Sequence, residues 1–312
     1  MPINLGSGAI SAAYLGSNAV TAAYLGSNIV WSPVTDRPFV AVAGSSSIAV
    51  TSPDGVTWTQ QTLPTSGDWK EVGYGNGTFV AVAYSSSIAV TSPDGVTWTQ
   101  RSFPVSTGWH SVTYGNGTFV AVAFNSNIAA TSPDGVTWTQ QTLPASAFWK
   151  SVTFDNGTFV AVAYNSTIAA TSPDGVTWTQ HTLPSSKGWD SVTFGNGTFV
   201  AVAYNSSVAA TSPDGVTWTQ RSLPASKNWE SVTFGNGKFV AVASGNNAIS
   251  ATSADGVTWA SSSMPTFANW ESVAFNDGTF VAVTLGSIAA TSPDGVTWTQ
   301  QTLPSSGYWY VA

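Results

Sequence analysis

The sequence contains no cysteine, so disulfide bonds, cysteine-ligated zinc and thiol catalysis are excluded. Charge is scarce as well: charged residues make up 7% of the 312 residues, against about 25% in an ordinary soluble protein. Lys and Arg together number 8 and the net charge is −7. A phosphate backbone needs a basic surface, so this composition argues against nucleic acid and disfavours anionic membrane surfaces.

Long apolar runs and a basic leader are also missing. No run of about 18 apolar residues occurs, so the sequence predicts no bilayer-spanning helix and no insertion into a membrane. Residues 1–5 lack the basic segment of a secretory signal peptide. If this protein works outside the cell, we therefore expect it to leave the cell by a route other than secretion, such as lysis. With 43% apolar residues, the chain can nevertheless bury a core.

A 40-residue repeat dominates the chain. Phe-Val-Ala-Val occurs seven times between Phe39 and Phe280, and Asp-Gly-Val-Thr-Trp occurs seven times between Asp54 and Asp294. No segment shows the 3.6-residue apolar period of a helix. Within one copy, the alternating and β-branched segments predict four strands separated by tight turns. In the fourth copy these are residues 149–154, 159–164, 168–172 and 176–180, and Pro184 is predicted to end the unit.

Four antiparallel strands in about 40 residues, repeated seven times, predict an all-β fold: a seven-bladed β-propeller of four-stranded blades over residues 32–312. A β-solenoid is the competing architecture. The two ends favour the ring, because the first copy lacks the usual Trp-x-Ser-Val strand and a related strand occurs as Trp309-Tyr310-Val311-Ala312. These last residues are predicted to complete the first blade and so to remove two exposed sheet edges.

Residues 1–31 contain a second, ten-residue repeat that starts at Leu5, Leu15 and Leu25. Each copy reads as a short β-segment interrupted at Gly-Ser-Asn or Gly-Ser-Gly. Such segments bury little surface by themselves. They are therefore predicted to form an attachment or oligomerisation segment that pairs with other copies of the chain or with a docking partner.

The sequence Ser-Pro-Asp-Gly-Val-Thr-Trp, as in residues 52–58, resembles the Asp-box of sialidase-like (BNR-like) propellers, although the family has one residue between Asp and Gly. The resemblance implies that Ser and Asp close a turn between the third and fourth strands and that the aromatic residue packs between blades. The Tyr-Leu-Gly-Ser units at Tyr14 and Tyr24 resemble short repeats of bacteriophage tail and tail-fibre proteins.

Together the two resemblances imply a phage tail-fibre or tail-tip adhesin. Such a protein would lie in the virion, become extracellular after lysis, and bind a host-surface glycan through the propeller without a cofactor. Residues 1–31 would contact another tail or baseplate protein, and the chain would be a homotrimer, because fibres of this kind are commonly trimeric. A structural or decoration virion protein, with the propeller as a docking platform, is the alternative.

The few arginines argue against a sialidase-type enzyme. A sialidase-like site needs an arginine cluster, whereas Arg101 and Arg221 lie three blades apart and Arg37 lies near the ring closure. The prediction is therefore a non-enzymatic protein. A polysaccharide-cleaving glycosidase stays as a weaker alternative, because Asp190, Glu230 and Glu271 lie on consecutive copies. An inverting pair of carboxylates needs a gap of about 6.5–9.5 Å, which neighbouring strands could supply.

The residue after the first-strand Trp is the most informative variable position. It is predicted to surround one mouth of the central channel, with a basic arc and an acidic arc, on the face where the copies differ. We call this set the rim: Lys70, His110, Lys150, Asp190, Glu230, Glu271 and Tyr310. The rim is either a polar binding site or a solvated edge whose salt bridges are worth at most about 1 kcal/mol each.

A second candidate set follows the second strand on the same face. An aromatic ring can stack on a sugar, and an adjacent amide can bond its hydroxyl groups; otherwise the rings cover blade edges. The set comprises Tyr84, Phe124, Tyr164 and Tyr204, with Asn125, Asn165 and Asn205 beside the last three. No Ser/His/Asp catalytic set is predicted, because His110 and His181 lie at non-equivalent positions two copies apart. No metal site is predicted, because the aspartates of the repeated turn are spread around the ring and serve to close turns.

Overall fold

The computed structural model describes residues 14–15, 18–19, 23–25, 28–31 and 37–312. The chain divides into two units, Met1–Arg37 and Pro38–Ala312. Much of the predicted attachment segment, residues 1–31, lies outside the described residues. The described residues of the first unit form two antiparallel pairs of short strands, namely β1 (Tyr14–Leu15) with β2 (Asn18–Ala19) and β3 (Ala23–Leu25) with β4 (Asn28–Trp31).

The second unit is all-β and contains 21 strands in one closed series of neighbours. They are β5 (Phe39–Gly44), β6 (Ser46–Ser52), β7 (Thr59–Gly75), β8 (Thr78–Tyr84), β9 (Ser86–Ser92), β10 (Thr99–Gly115), β11 (Thr118–Phe124), β12 (Ser126–Ser132), β13 (Thr139–Asp155), β14 (Thr158–Tyr164), β15 (Ser166–Ser172), β16 (Thr179–Gly195), β17 (Thr198–Tyr204), β18 (Ser206–Ser212), β19 (Thr219–Gly235), β20 (Lys238–Ser244), β21 (Asn247–Ser253), β22 (Ala260–Ala268), β23 (Trp270–Asn276), β24 (Thr279–Ser292) and β25 (Thr299–Val311). Across the described part of the chain, we find no helix with the length and apolarity needed to cross a membrane.

The predicted fourth strand of each copy begins too early. In the fourth copy, residues 173–178 form the turn and β16 begins only at Thr179. The reason is local, because the backbone amides of Val176 and Thr177 both donate to the Asp174 carboxylate, at 2.9 Å each. Amides held by a side chain are not available to a sheet ladder.

Pro184, predicted to end the unit, lies inside β16. This strand pairs with β15 at residues 179–182 and again at Lys187, and it pairs with β17 from Gly188 onwards. Pro184 lies where the β15–β16 register shifts, between Thr182 and Lys187, so its missing N–H costs no ladder hydrogen bond there. Seven strands pair in this way with two different neighbours through their two halves: β7, β10, β13, β16, β19, β24 and β25.

The last strand pairs with the first strand of the ring. In β25, Trp309 lies opposite Ala43 and Val311 lies opposite Ala41 of β5. The Ala312 amide donates to the Val40 carbonyl at 2.9 Å, and the Val40 amide donates to the Ala312 carbonyl at 3.1 Å. These bonds occupy backbone groups that would otherwise form an exposed sheet edge.

The core lies between neighbouring sheets. Each Phe-Val-Ala-Val strand is buried on both faces, and the Trp before each rim residue has 0% exposure. One cluster, for example, packs Val160 and Val162 of one copy against Trp189 and Phe199 of the next. Most of the apolar burial that stabilises the ring is therefore shared between adjacent copies.

One tryptophan of this buried set lacks the hydrogen bond of the others. The Trp149 Nε1 group donates to the Ala145 carbonyl at 3.1 Å, whereas the buried Trp270 Nε1 group has no acceptor among the described residues. We expect Trp149→Phe to lower the free energy of unfolding by about 1–2 kcal/mol more than Trp270→Phe does. Urea denaturation of the two variants measures this difference, and equal losses would contradict it.

Candidate functional site

β-Bulges position the rim side chains. In β13, Trp149 pairs with Ala163 and Ser151 pairs with Val162, which leaves Lys150 as an additional residue on its strand. A bulge of this kind redirects a side chain out of the regular alternation. The same register shift occurs at Lys70, His110, Asp190, Glu230 and Glu271. Tyr310, in contrast, pairs regularly with Val42.

A cavity of about 270 Å³ brings the two predicted sets together. It is lined by three rim residues and three rings of the aromatic set, which are Lys150, Asp190, Glu230, Phe124, Tyr164 and Tyr204. The predicted residues that do not line this cavity are Lys70, His110, Glu271, Tyr310, Tyr84, Asn125, Asn165 and Asn205. The site is therefore centred on the copies where the basic arc of the rim meets the acidic arc.

Three ionisable side chains interact directly inside the cavity. Lys150 Nζ lies 3.5 Å from Asp190 Oδ1, and Asp190 is only 7% exposed. The Asp190 carboxyl is also hydrogen-bonded to the carboxyl of Glu230. Ser244 Oγ donates a further hydrogen bond to Glu230 Oε1. The cavity thus holds one ammonium group paired with Asp190 and a second carboxyl group, that of Glu230, near enough to affect its pKa.

The pKa values of the two carboxyl groups are both raised above their usual range. Burial raises the pKa of Asp190, and the neighbouring Glu230 raises it further against the opposing effect of Lys150. Burial likewise raises the pKa of Glu230. Burial lowers the pKa of Lys150, but the two carboxyl groups outweigh this effect, so its pKa is raised and it stays charged. Two carboxyls in contact ionise in coupled steps, and Lys150 balances the first negative charge.

The rest of the rim is also perturbed by burial. Burial raises the pKa of Glu271 to about 7, with Glu230 adding to the effect, and it raises the pKa of Tyr310. Burial and the charges of Lys150 and Lys70 hold the pKa of His110 well below its usual value. His110 is therefore neutral, and its Nδ1 carries the proton, because it lies 3.0 Å from the Lys150 carbonyl oxygen.

The aromatic set forms ring-to-ring contacts along the same face. The ring centroids of Tyr164 and Tyr204 are 6.1 Å apart, and those of Tyr84 and Phe124 are 6.0 Å apart. The residues that follow the last three rings are exposed and adopt positive φ, at 56° for Asn125, 50° for Asn165 and 48° for Asn205. Asn is favoured in this left-handed conformation, so the turn itself accounts for the residue type there.

The repeated Ser-Pro-Asp-Gly turn is held by its own side chains. Ser172 Oγ donates to Asp174 Oδ1 at 3.0 Å, and Trp178 Nε1 donates to the Gly175 carbonyl at 2.9 Å. Backbone hydrogen bonds, above all that from Thr177, lower the pKa of Asp174. The described residues contain no group of three or more His, Asp or Glu side chains that could hold a metal ion.

A series of serine contacts links adjacent copies, and sequence reasoning missed it. The Val152 amide donates to Ser111 Oγ at 2.9 Å, and the Val192 amide donates to Ser151 Oγ at 3.2 Å. In one copy Glu71 replaces the serine, and its Oε2 accepts the hydrogen bond of the Val112 amide at 3.0 Å. Burial raises the pKa of Glu71 to about 7.

We expect Glu71→Ser to stabilise the protein at pH 8 and to have little effect at pH 4. The unfolded pKa is near 4.5 and the folded pKa near 7, so the cost of ionised Glu71 is absent below pH 4.5 and complete above pH 7. The gain at pH 8 should reach up to about 3 kcal/mol. Chemical denaturation at both pH values measures it; a gain of the same size at pH 4 would rule out this cause.

Comparisons with known proteins identify the fold. No protein-family model and no curated protein matches the chain. Among solved structures, streptogramin B lyase has a TM-score of 0.69 at 12% identity, over 86% of this chain and 89% of that chain. Virginiamycin B lyase from Staphylococcus aureus has a TM-score of 0.68 at 12% identity, over 80% and 92%. YCF48 bound to D1 peptide has a TM-score of 0.62 at 17% identity, over 80% and 88%.

These neighbours correct the resemblance drawn from the sequence. The assignment to a sialidase-like, BNR-like phage tail adhesin is wrong, because the similar structures are lyases and YCF48. The turn at residues 52–58 and the short repeats near Tyr14 and Tyr24 do not identify a family. A hydrogen-bonded turn and a short repeat follow from local chemistry, so they also occur in unrelated proteins. The expected virion location, baseplate partner and homotrimer rest on that resemblance and stay untested. At this level of identity, the comparisons show a β-propeller fold alone.

Proposed function

We propose that this β-propeller is a non-catalytic module that binds a saccharide in the cavity at the rim. The observation that carries the proposal is the lining itself, with three aromatic rings and three hydrogen-bonding ionic side chains around about 270 Å³. Pockets that enclose a drug-sized ligand measure about 300–1,000 Å³. A slightly smaller, partly polar cavity suits one sugar ring at a time.

The chemistry of the lining matches the two sides of a sugar. The rings of Tyr164 and Tyr204 offer apolar faces for the C–H side of a pyranose. The carboxyl groups of Asp190 and Glu230 accept hydrogen bonds from hydroxyl groups, and the Lys150 ammonium donates one. Hydrogen bonds to charged groups are stronger than hydrogen bonds between neutral groups, so this small site can orient a single sugar ring.

A glycan array tests the proposal directly. We expect the intact protein to bind a defined group of glycans, and Tyr164→Ala and Tyr204→Ala each to weaken binding about tenfold or more, as the loss of an aromatic anchor does. Phe267→Ala is the matched control, because this ring is 72% exposed and does not line the cavity. Absence of glycan binding by the intact protein would defeat the proposal, as would equal losses in all three variants.

The proposed absence of catalysis rests on the spacing of the carboxyls. Asp190 and Glu230 are hydrogen-bonded to each other, whereas glycosidases hold their pair about 5–5.5 Å apart for retention or about 6.5–9.5 Å apart for inversion. Since the similar structures include lyases, an assay is required. We expect no new reducing ends from any glycan that the array identifies; release that Glu230→Gln abolishes would make the protein an enzyme.

A docking platform for another protein is the second candidate. It is favoured by exposed aromatic side chains, with 39% exposure at Phe148, 72% at Phe267 and 50% at Tyr308. Such rings are common anchors of protein interfaces. This candidate predicts that the protein binds no glycan on the array and that Phe267→Ala weakens its binding to a protein partner.

For the architecture, we propose seven blades of four strands, closed by the C-terminal strand. The support is the double use of seven strands. When each of them is counted once for each ladder, every copy of the repeat has four strand segments.

We further propose that residues 1–31 attach the propeller to a partner and assemble a homotrimer. Light scattering of the protein with and without these residues tests this proposal. The same number of subunits in both proteins would contradict it.

A further inference from the structure

We infer that the saccharide carries a free amino group, and that its ammonium binds against the Tyr204 ring next to Glu230 and Glu271. This inference rests on the proposed saccharide-binding function and narrows it to amino sugars. It comes from a contact between the rim residue and the aromatic ring of the same copy. Three consecutive copies of the repeat make this contact, and the fourth does not.

In three consecutive copies, the rim residue lies against the aromatic ring of its own copy. Lys70 Nζ lies 5.7 Å from the centroid of the Tyr84 ring, and Lys150 Nζ lies 5.9 Å from that of Tyr164. Between them, the His110 ring lies 5.6 Å from the Phe124 ring. A cation within about 6 Å of a ring centroid is attracted by the negative face of the ring.

The fourth copy breaks this pattern. Its rim residue is Asp190, and no Lys or Arg lies over Tyr204 in the described residues. Burial raises the pKa of the Tyr204 hydroxyl, and the nearby carboxyls of Glu230, Asp190 and Glu271 raise it further. The Tyr204 ring therefore has carboxyl groups beside it, whereas Tyr84 and Tyr164 each have a lysine and Phe124 has the neutral His110 ring. A cation from the ligand would give Tyr204 the contact that the lysines give Tyr84 and Tyr164.

The buried carboxyls near Tyr204 outnumber the lysines beside them. Asp190, Glu230 and Glu271 all interact with Lys150, and Glu271 also interacts with Lys70. The Lys70 ammonium is itself paired with Asp68 at 2.9 Å. Burial favours the protonated form of such carboxyls, and a nearby cation favours their ionised form. An ammonium group of the ligand can therefore pair with a carboxyl that it helps to ionise, whereas an uncharged sugar offers no such pair and an acidic sugar is repelled.

Two matched probes test the inference by calorimetry at pH 6.5: the β-1,4-linked tetramers of glucosamine and of N-acetylglucosamine. They share ring and linkage, and they differ in the ammonium charge. We expect the amino tetramer to bind about tenfold or more tightly, which is the size of one desolvated cation–π contact combined with an ion pair. A preference for the acetylated tetramer, or equal affinities, would overturn the inference.

Matched variants locate the preference. Tyr204→Leu should lower the ratio of the two affinities to about one, because it removes the ring that the ammonium contacts. Tyr164→Leu should weaken both tetramers and leave their ratio unchanged, because the Tyr164 ring already has Lys150 over it. Thermal melting shows whether each variant is folded. If a variant is not folded, the ratio of the two tetramer affinities measured with the wild-type protein still decides the inference. A ratio that Tyr164→Leu abolishes and Tyr204→Leu keeps would contradict the assignment.

The outcomes separate this inference from the function on which it rests. Glycan-array binding without a preference for amino sugars would leave the saccharide-binding proposal intact and remove the inference. Failure of every glycan, including both tetramers, would remove both. If the protein binds a lysine-rich peptide and neither tetramer, the ammonium site at the Tyr204 ring recognises a protein ligand. That result would overturn the amino-sugar assignment.

Discussion

Gly175→Ala should lower the free energy of unfolding by about 2–5 kcal/mol. Gly175 has a φ of 76°, and an added Cβ would lie 2.5 Å from Val120 Cγ2 of the preceding copy. The left-handed conformation costs a residue with a side chain roughly 1–2 kcal/mol, and overpacking of a dense core typically costs about 1–3 kcal/mol. Both costs act together, because the turn glycine fills the contact between two neighbouring sheets.

Gly157→Ala separates the two costs within the same copy. Gly157 has a φ of 74°, nearly the same as Gly175, but an added Cβ would meet nothing within 4 Å. Gly157→Ala should therefore lower the free energy of unfolding only by the cost of the left-handed backbone conformation, about 1–2 kcal/mol. Urea denaturation of both variants gives the difference. If the two losses are equal, the Gly175 turn does not pack tightly against the preceding copy, and the account of the core as shared between copies fails.

Deletion of residues 309–312 should destabilise the ring more than any single substitution above. Trp309 is completely buried, and loss of a buried Trp side chain alone costs about 3–5 kcal/mol. The deletion also removes the ladder between β25 and β5 and leaves both edges unpaired. We expect broad, weakly cooperative unfolding at a much lower temperature, measured by circular dichroism and calorimetry.

A synthetic peptide of residues 305–312 provides the control for this deletion. If the strand acts by closing the ring, the peptide should add to the open edge of β5 and restore much of the lost melting temperature, as peptides do when they extend a sheet. A scrambled peptide of the same composition should not. A deletion variant that melts like the intact protein would show that the β25–β5 ladder contributes little to stability.

Much of the fold could be predicted from the sequence, because the signals are local and occur in every copy. Alternation, the buried Phe-Val-Ala-Val run and the Asn-Gly turn predict an all-β repeat in each copy independently. The start of the fourth strand could not be predicted, because it depends on the Asp174 carboxylate holding the amides of Val176 and Thr177. Nor could the continuation through Pro184, which depends on an irregularity of the β15–β16 ladder between Thr182 and Lys187.

The candidate site was predicted as two separate sets of residues, and the sequence could not show that they meet. Lys150 and Tyr164 reach one cavity because a bulge redirects Lys150, and nothing in a single strand reveals a bulge in advance. The only signal was an ionisable residue inside an alternating apolar strand. The role of Glu71 was equally hidden, because its partner is the backbone of Val112, 41 residues away.

A crystal structure of the protein with its strongest array ligand tests the central claim most directly. The account predicts density for one sugar ring in the cavity, in contact with the rings of Tyr164 and Tyr204 and within hydrogen-bond distance of Glu230. Where the sugar carries an amine, its nitrogen should lie over the Tyr204 ring. Ligand bound elsewhere on the propeller, with this cavity empty, would contradict the account.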